Sequence, residues 1–211
     1  MKRILFWRHG QTDWNQAARF QGQTDIPLNE AGRQQARSAA RRLAHLDPEL
    51  ILVSDLQRAQ QTAQFLADLT GTELSFDPRL RETFAGDWEG LPFAEINQRF
   101  VEDSRAWEAG SVDVRAGGGE SRLDVAERMT HAVQDALPRI GQDGLLVVTS
   151  HGGAIRAGMM ALLGVPPGRW GMVSGLSNCH WSVLEHRQDE SWQLTEHNAG
   201  SLPEISALTE G

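Results

Sequence analysis

The 211-residue sequence contains one cysteine, one lysine and no tyrosine. A single cysteine excludes an internal disulfide and a four-cysteine zinc site. Because Lys2 is the only lysine, the body of the chain can supply neither a phosphate-loop lysine nor a Schiff-base lysine. No arginine follows Cys179 closely, which argues against a cysteine-dependent phosphatase. We therefore expect Cys179 to be a small structural residue.

The sequence also lacks a long apolar run and a positive charge balance. No segment is apolar enough to cross a bilayer, and the first residues lack the apolar region and cleavage site of a signal peptide, so we expect a cytoplasmic protein with no membrane partner. Twenty Lys and Arg against 28 Asp and Glu give a net charge of -8, which repels nucleic acid. An anionic substrate must then be met by a local cluster of cations.

Apolar runs alternate with helical patterns along the chain, and no internal repeat or long linker divides it. The pattern predicts one domain over residues 1–211, a three-layer α/β/α sandwich with a mostly parallel sheet. Two alternating segments, Trp181–Leu184 and Trp192–Thr195, predict an antiparallel edge hairpin. Residues from about 83 to 120 are expected to form a loop-rich lid. The predicted helices cover 29–46, a stretch from about Ala59 to Leu69 closed by Gly71, 121–141, and a stretch after His151 that runs to Leu163.

Three of the predicted strands are followed by cationic side chains. The first apolar run stops at Arg8 and His9, the second is followed by Arg58, and the fourth by His151. Carboxyl ends of parallel strands share one edge of a sheet, where ligands bind. Two arginines, two histidines and a helix amino end there would bind a dianionic phosphoryl group. Carboxylate clusters with magnesium spacing are missing, so we expect no metal and no cofactor. Chemistry alone leaves open which histidine attacks and which one moves a proton.

Four segments in order, RHGQTDWN, SDLQRAQQTA, RLRETFAGDWEG and TSHGG, resemble those of the histidine phosphatase superfamily, also called the phosphoglycerate mutase family. The resemblance covers most of the chain and implies a phosphoglycerate mutase-like fold. It implies that His9 is the nucleophile and forms a phosphohistidine that water hydrolyses. Glu82 would protonate the leaving oxygen and then activate water; a surface salt bridge of Glu82 with Arg79 or Arg81 is the alternative. The implied phosphate contacts are Arg8, Arg58 and His151, with Asn15 and the Gly152 backbone assisting and Gln21 and Gly22 in a loop beside the phosphate.

The stretch after Glu82 distinguishes the branches of this family. Mutases carry a longer insertion there, whereas GDWEGLPFAEI follows closely and resembles the phosphatase branch. Together with QGQTDIPLNEAG and LSNCHW, it is similar to glucosyl-3-phosphoglycerate phosphatases. Broad-specificity and α-ribazole phosphatases have nearly the same signature. A phosphoglycerate mutase and a non-catalytic phosphoester-binding module are the further alternatives.

The expected partner is a phosphorylated small molecule. Proximity to the motifs suggests further substrate contacts at Arg19, Phe20, Trp88, Glu120 and His180. Trp88 and Phe93 would form an apolar wall for the leaving group or pack the lid. Trp181 and Trp192 are expected to pack the edge hairpin, with a homodimer contact as a further expectation.

Overall fold

The computed structural model describes residues 1–200. Its six-stranded sheet has the order β3-β2-β4-β1-β5-β6. The first four strands in that order are parallel, while β5 pairs antiparallel with β1 and with β6. The predicted mostly parallel sheet and its antiparallel edge hairpin are therefore confirmed. The strands are β1 Arg3–Arg8, β2 Leu50–Val53, β3 Leu74–Phe76, β4 Leu145–Ser150, β5 Trp181–His186 and β6 Trp192–Ala199.

Helices cover both faces of the sheet. Successive residues of β1 alternate between the faces: Ile4 and Phe6 pack with α6 and α7, and Leu5 and Trp7 with α2 and α3. Each face thus buries its own apolar core, which confirms the three-layer sandwich. The helices are α1 Asp13–Gln16, α2 Glu30–Leu43, α3 Gln57–Thr70, α4 Phe93–Arg99, α5 Val101–Glu108, α6 Arg122–Ala136 and α7 Gly152–Leu162.

Side-chain hydrogen bonds determine where two of the long helices begin, and a proline determines where one of them ends. The Asn29 side chain accepts the amide N–H of Gly32 and begins α2, and Ser121 forms a capping box with Asp124 at the start of α6. The helix predicted to continue to Gly141 ends earlier, because Pro138 has no N–H to donate to the preceding turn. A 3-10 turn, Leu137–Arg139, follows instead.

The segment from 83 to 120 is more regular than expected, and the prediction of a loop-rich stretch was wrong at α4 and α5. Neither helix has a side-chain N-cap hydrogen bond, so the sequence carries no capping signal for them. Trp88 and Ile96 form a small separate core there, packed against Phe20 and Trp107. Movement of this segment as a lid stays a prediction.

Two other expectations concern buried residues. Cys179 packs inside the core on the α2 and α3 side, as expected for a structural residue, and burial raises the pKa of its thiol. Trp181 packs in that same core, and Trp192 packs against the core on the opposite face. The homodimer contact stays a prediction.

Among the described residues, no helix is long and apolar enough to cross a membrane.

Candidate active site

His9 lies immediately after β1, at the carboxyl edge of the sheet. Its backbone N–H donates to the Ser150 carbonyl at 3.0 Å, and its own carbonyl accepts from the Cys179 N–H at 3.2 Å and from Asn178 Nδ2 at 3.1 Å. Its side chain is only 2% exposed. These contacts fix the residue between β4 and the segment that enters β5.

The His9 ring is held in one tautomer. Nδ1 lies 2.7 Å from the carbonyl oxygen of Gly10, and because a carbonyl only accepts, Nδ1 carries the proton and Nε2 the lone pair. Burial, and then the charges of Arg58 and Arg8, hold the pKa of His9 well below its ordinary value. The imidazole is therefore neutral near pH 7, which is the form that can act as a nucleophile.

Arg58, in the first turn of α3, is fully buried. Its Nε donates to His151 Nδ1 at 3.1 Å, Nη1 to the Thr24 carbonyl at 2.9 Å and Nη2 to the Gly22 carbonyl at 2.8 Å. Burial lowers the pKa of Arg58 to about 10, so it keeps its charge at neutral pH. The turn that supplies the Gly22 carbonyl to Arg58 requires glycine. Gly22 has a φ of 54°, and a Cβ there would lie 2.1 Å from a carboxylate oxygen of Glu89.

Arg8, the last residue of β1, donates through Nη1 to the Leu176 carbonyl at 2.5 Å. Its buried Nε has no hydrogen-bond partner within residues 1–200. This nitrogen lies beside the amino end of α7, since a Cβ on Gly152 would be 3.2 Å from it. An unpaired N–H next to a helix amino end is suited to an anionic oxygen.

His151 lies behind His9, with a ring-centroid distance of 5.1 Å. Its Nδ1 accepts from Arg58, so Nε2 carries the proton and donates to Ser54 Oγ at 2.8 Å. Burial, then Arg58, lowers the pKa of His151 well below its usual value. Both ring nitrogens are used inside the protein, and the ring supports Arg58. Direct contact of His151 with a phosphoryl group stays a prediction.

The Glu82 carboxylate lies at the amino end of α7. It accepts the N–H groups of Gly153 at 3.0 Å, Ala154 at 2.9 Å and Thr83 at 2.9 Å. A Cβ on Gly153 would be 2.7 Å from Glu82 Oε1, so glycine permits this close approach. The carboxylate is thus held at a defined position beside Arg8 and His9.

The alternative role of Glu82, a surface salt bridge, does not occur in this structure. Arg79 pairs with Asp77 at 2.7 Å, and Arg81 pairs with Asp55 at 2.5 Å. Both arginines therefore have other carboxylates as partners.

Most of the predicted site residues line one cavity of about 340 Å³. Asn15 Oδ1 accepts from the Thr12 N–H at 3.1 Å, and Gln21 Oε1 accepts from Thr12 Oγ1 at 2.9 Å, so both amides are positioned by one residue. Gly152 and His151 are not among the lining residues, but Gly152 lies against Arg8 and His151 bonds to Arg58. The lining comprises Arg8, His9, Asn15, Ala18, Arg19, Phe20, Gln21, Gly22, Arg58, Glu82, Phe93 and Asn178. No group of three or more His, Cys, Asp or Glu side chains in the described part of the chain could hold a metal ion.

Comparison with known proteins agrees with this geometry. The model of the histidine phosphatase superfamily, branch 1, matches residues 4–200. The chain belongs to this superfamily. It is 41% identical to a glucosyl-3-phosphoglycerate phosphatase of Mycobacterium tuberculosis over 95% of this chain and 96% of that protein. It is 33% identical to a probable phosphoglycerate mutase of Serratia proteamaculans over 89% of this chain and 86% of that protein.

Solved structures give the same result for the fold of this histidine phosphatase. A mycobacterial glucosyl-3-phosphoglycerate phosphatase in complex with VO3 has a TM-score of 0.89 and 39% identity, covering 95% of this chain and all of that one. A phosphoserine phosphatase of Entamoeba histolytica has a TM-score of 0.82 and 26% identity, covering 94% and 98%. The fold is phosphoglycerate mutase-like, and the protein is a phosphatase enzyme.

Of the substrate contacts predicted outside the sequence motifs, only some line the cavity that contains His9. Arg19 and Phe20 line it. Glu120 does not, because it pairs with Arg128 at 2.7 Å, and His180 bonds to the Asn198 carbonyl at 2.9 Å instead. Trp88 packs in the core of the 83–120 segment and lines a neighbouring cavity.

Sequence reasoning missed Asn178 as a site residue. Its Nδ2 donates to the His9 carbonyl and, at 3.3 Å, to Asn15 Oδ1, so it links the loop that contains His9 to α1. Its position in LSNCHW was the available signal, but only the folded chain shows which motif it contacts.

Proposed function

We propose that this histidine phosphatase hydrolyses a phosphomonoester through a phosphohistidine on His9. The observation that carries the proposal is the His9 tautomer, with a lone pair on Nε2 in a cavity lined by the guanidinium groups of Arg8 and Arg58. Nε2 attacks phosphorus, the bond to the leaving oxygen breaks, and protonated Glu82 gives its proton to that oxygen. Water then attacks phosphorus, the P–N bond breaks, and Glu82 takes a proton from the water.

The phosphoryl oxygens would be held by Arg8, Arg58 and the Gly152 N–H, and His151 would join them by exchanging its Nε2 hydrogen bond to Ser54 Oγ for one to a phosphoryl oxygen. The unpaired Nε of Arg8 and the amino end of α7 support this assignment, because both favour negative charge. Asn15, Gln21 and Gly22 would complete the phosphate side of the cavity. No step of this mechanism uses a metal or an organic cofactor.

For the substrate we propose glucosyl-3-phosphoglycerate. Relatives named for this activity are 41% identical to the chain, whereas relatives named as probable mutases are 33 to 34% identical. The short connection after Glu82 also favours hydrolysis over transfer. A cytoplasmic location and a single domain over 1–211 belong to the same proposal, and so does the absence of nucleic-acid partners.

Acid-quench labelling tests the proposal. The wild type should form an acid-labile phosphohistidine and release inorganic phosphate from glucosyl-3-phosphoglycerate. His9→Ala should do neither, while His45→Ala, at an exposed position beyond α2, should behave as the wild type. Conversion of 3-phosphoglycerate to 2-phosphoglycerate would instead show a mutase. If no tested phosphoester yields either a phosphoenzyme or free phosphate, the protein is a binding module and the proposal fails.

A further inference from the structure

A second cavity, of about 470 Å³, adjoins the one that contains His9. Phe20 and Phe93 line both cavities, so the two share an aromatic wall. The volume lies in the range of small-molecule sites. The walls of this second cavity come largely from α4 and α5, with Arg122 of α6 and Arg156 of α7, and its residues other than Phe20 and Phe93 do not line the cavity that contains His9.

The apolar part of this second cavity is aromatic. Phe20, Trp88 and Trp107 lie with ring centroids 5.9 to 6.3 Å apart, each pair at a steep angle. Trp88 is buried against the other two rings, so the half-buried Phe20 and Trp107 supply the aromatic surface of the cavity. Such a surface suits a ligand with flat apolar patches.

The polar part contains both donors and acceptors. Asn97 Nδ2 donates to Glu108 Oε1 at 2.7 Å, which leaves the second carboxylate oxygen of Glu108 free to accept. The Arg122 guanidinium lies 3.6 Å above the Trp107 ring and donates to the Trp107 carbonyl at 3.0 Å. Arg156 donates to the Trp170 carbonyl at 2.9 Å. Neither arginine forms an ion pair within residues 1–200.

We propose that this second cavity binds the sugar ring of a glycosylated phosphomonoester whose phosphate lies at His9. A sugar combines apolar C–H faces, which pack on aromatic rings, with hydroxyl groups that both donate and accept hydrogen bonds. A purely anionic group fits the cavity less well, because the Glu108 carboxylate lies in the same wall as the arginines. The inference rests on the proposed phosphatase function and adds to it the residues that would hold the sugar of the leaving group.

Binding of phosphate-free compounds tests the inference separately from catalysis. In titration calorimetry, the wild type should bind glucosylglycerate more tightly than glycerate, which has the carboxylate but no sugar. Asn97→Ala and Glu108→Ala should each weaken glucosylglycerate binding about three- to tenfold, the usual effect of one lost hydrogen bond. Both positions are exposed on helix surfaces, so the variants should fold.

Matched controls lie on the same two helices. Gln98→Ala on α4 and Glu102→Ala on α5 change exposed residues outside the cavity and should leave binding unchanged. Equal affinity for glycerate and glucosylglycerate, or equal effects of the cavity and control variants, would overturn the inference. A wild type that binds glucosylglycerate but releases no phosphate from its 3-phospho ester would refute the proposed substrate and leave the sugar site standing.

Discussion

Replacing Glu82 by glutamine tests whether this carboxyl group moves the proton in both steps. Glutamine has almost the same size but cannot give up or take a proton at the leaving oxygen. General acid–base catalysis contributes about 10²- to 10⁴-fold, so the rate of His9 phosphorylation by an alkyl phosphate should fall by about that factor. In free energy of activation, this is about 3 to 5 kcal/mol.

The same substitution has a structural cost that must be separated from the chemical one. Glu82 accepts three backbone N–H groups, two of them at the amino end of α7. Glutamine has one oxygen, so at least one of these donors loses its partner, which costs about 1 to 3 kcal/mol of folding free energy. Glu89→Gln is the matched control, because Glu89 also accepts from three groups, on Gln23, Thr24 and Ala85.

The assay is rapid-quench measurement of His9 phosphorylation with two substrates. An alkyl phosphate needs a proton on its leaving oxygen, whereas p-nitrophenolate leaves as a stable anion. Glu82→Gln should therefore slow the alkyl ester about tenfold or more beyond its effect on p-nitrophenyl phosphate. Glu89→Gln should show no such difference between the esters. Equal slowing of both esters by Glu82→Gln would refute the role of Glu82 as the acid.

Two further predictions concern stability. Burial lowers the pKa of both His9 and His151 in the folded state. Their contribution to the free energy of unfolding is therefore fully present above the unfolded pKa of 6.5 and is lost as the pH falls toward the folded pKa. In thermal melts, the melting temperature should fall as the pH drops below 6.5, and it should fall less steeply with pH for His9→Asn than for the wild type. The same pH dependence in both proteins would contradict this prediction. Gly22→Ala should cost about 1 to 3 kcal/mol and raise KM, because its Cβ would meet Glu89. Gly71→Ala, with a similar φ of 72° and no atom within 4 Å of the added Cβ, should cost less in thermal melts and leave KM unchanged.

The sequence was sufficient for the fold because the signals were local. Each buried strand was a short apolar run, and each long helix had an apolar stripe, with a side-chain cap at Asn29 for α2 and at Ser121 for α6. Once the strands are parallel, their carboxyl ends must share an edge. That geometry alone predicts that Arg8, His9 and Arg58 lie close together.

The parts that could not be predicted depend on contacts between distant segments. Asn178 reaches the His9 loop only because β5 lies next to β1 in the sheet, and neither residue type nor spacing indicates that order. The two cavities likewise depend on how Phe20 packs against the 83–120 segment. Side-chain packing of this kind is set by the whole core and leaves no periodic signal in the sequence.

The hydrogen bonds of Arg58 explain how the protein keeps this guanidinium group buried beside two histidines. Burying a charge is unfavourable unless its hydrogen bonds are satisfied. Arg58 satisfies three through the Gly22 and Thr24 carbonyls and His151, and Ser54 fixes the His151 tautomer that accepts. Neutral histidines add no further positive charge. The folded chain therefore holds Arg58 in place without a ligand, and in the proposed mechanism this leaves little reorganisation for the transition state.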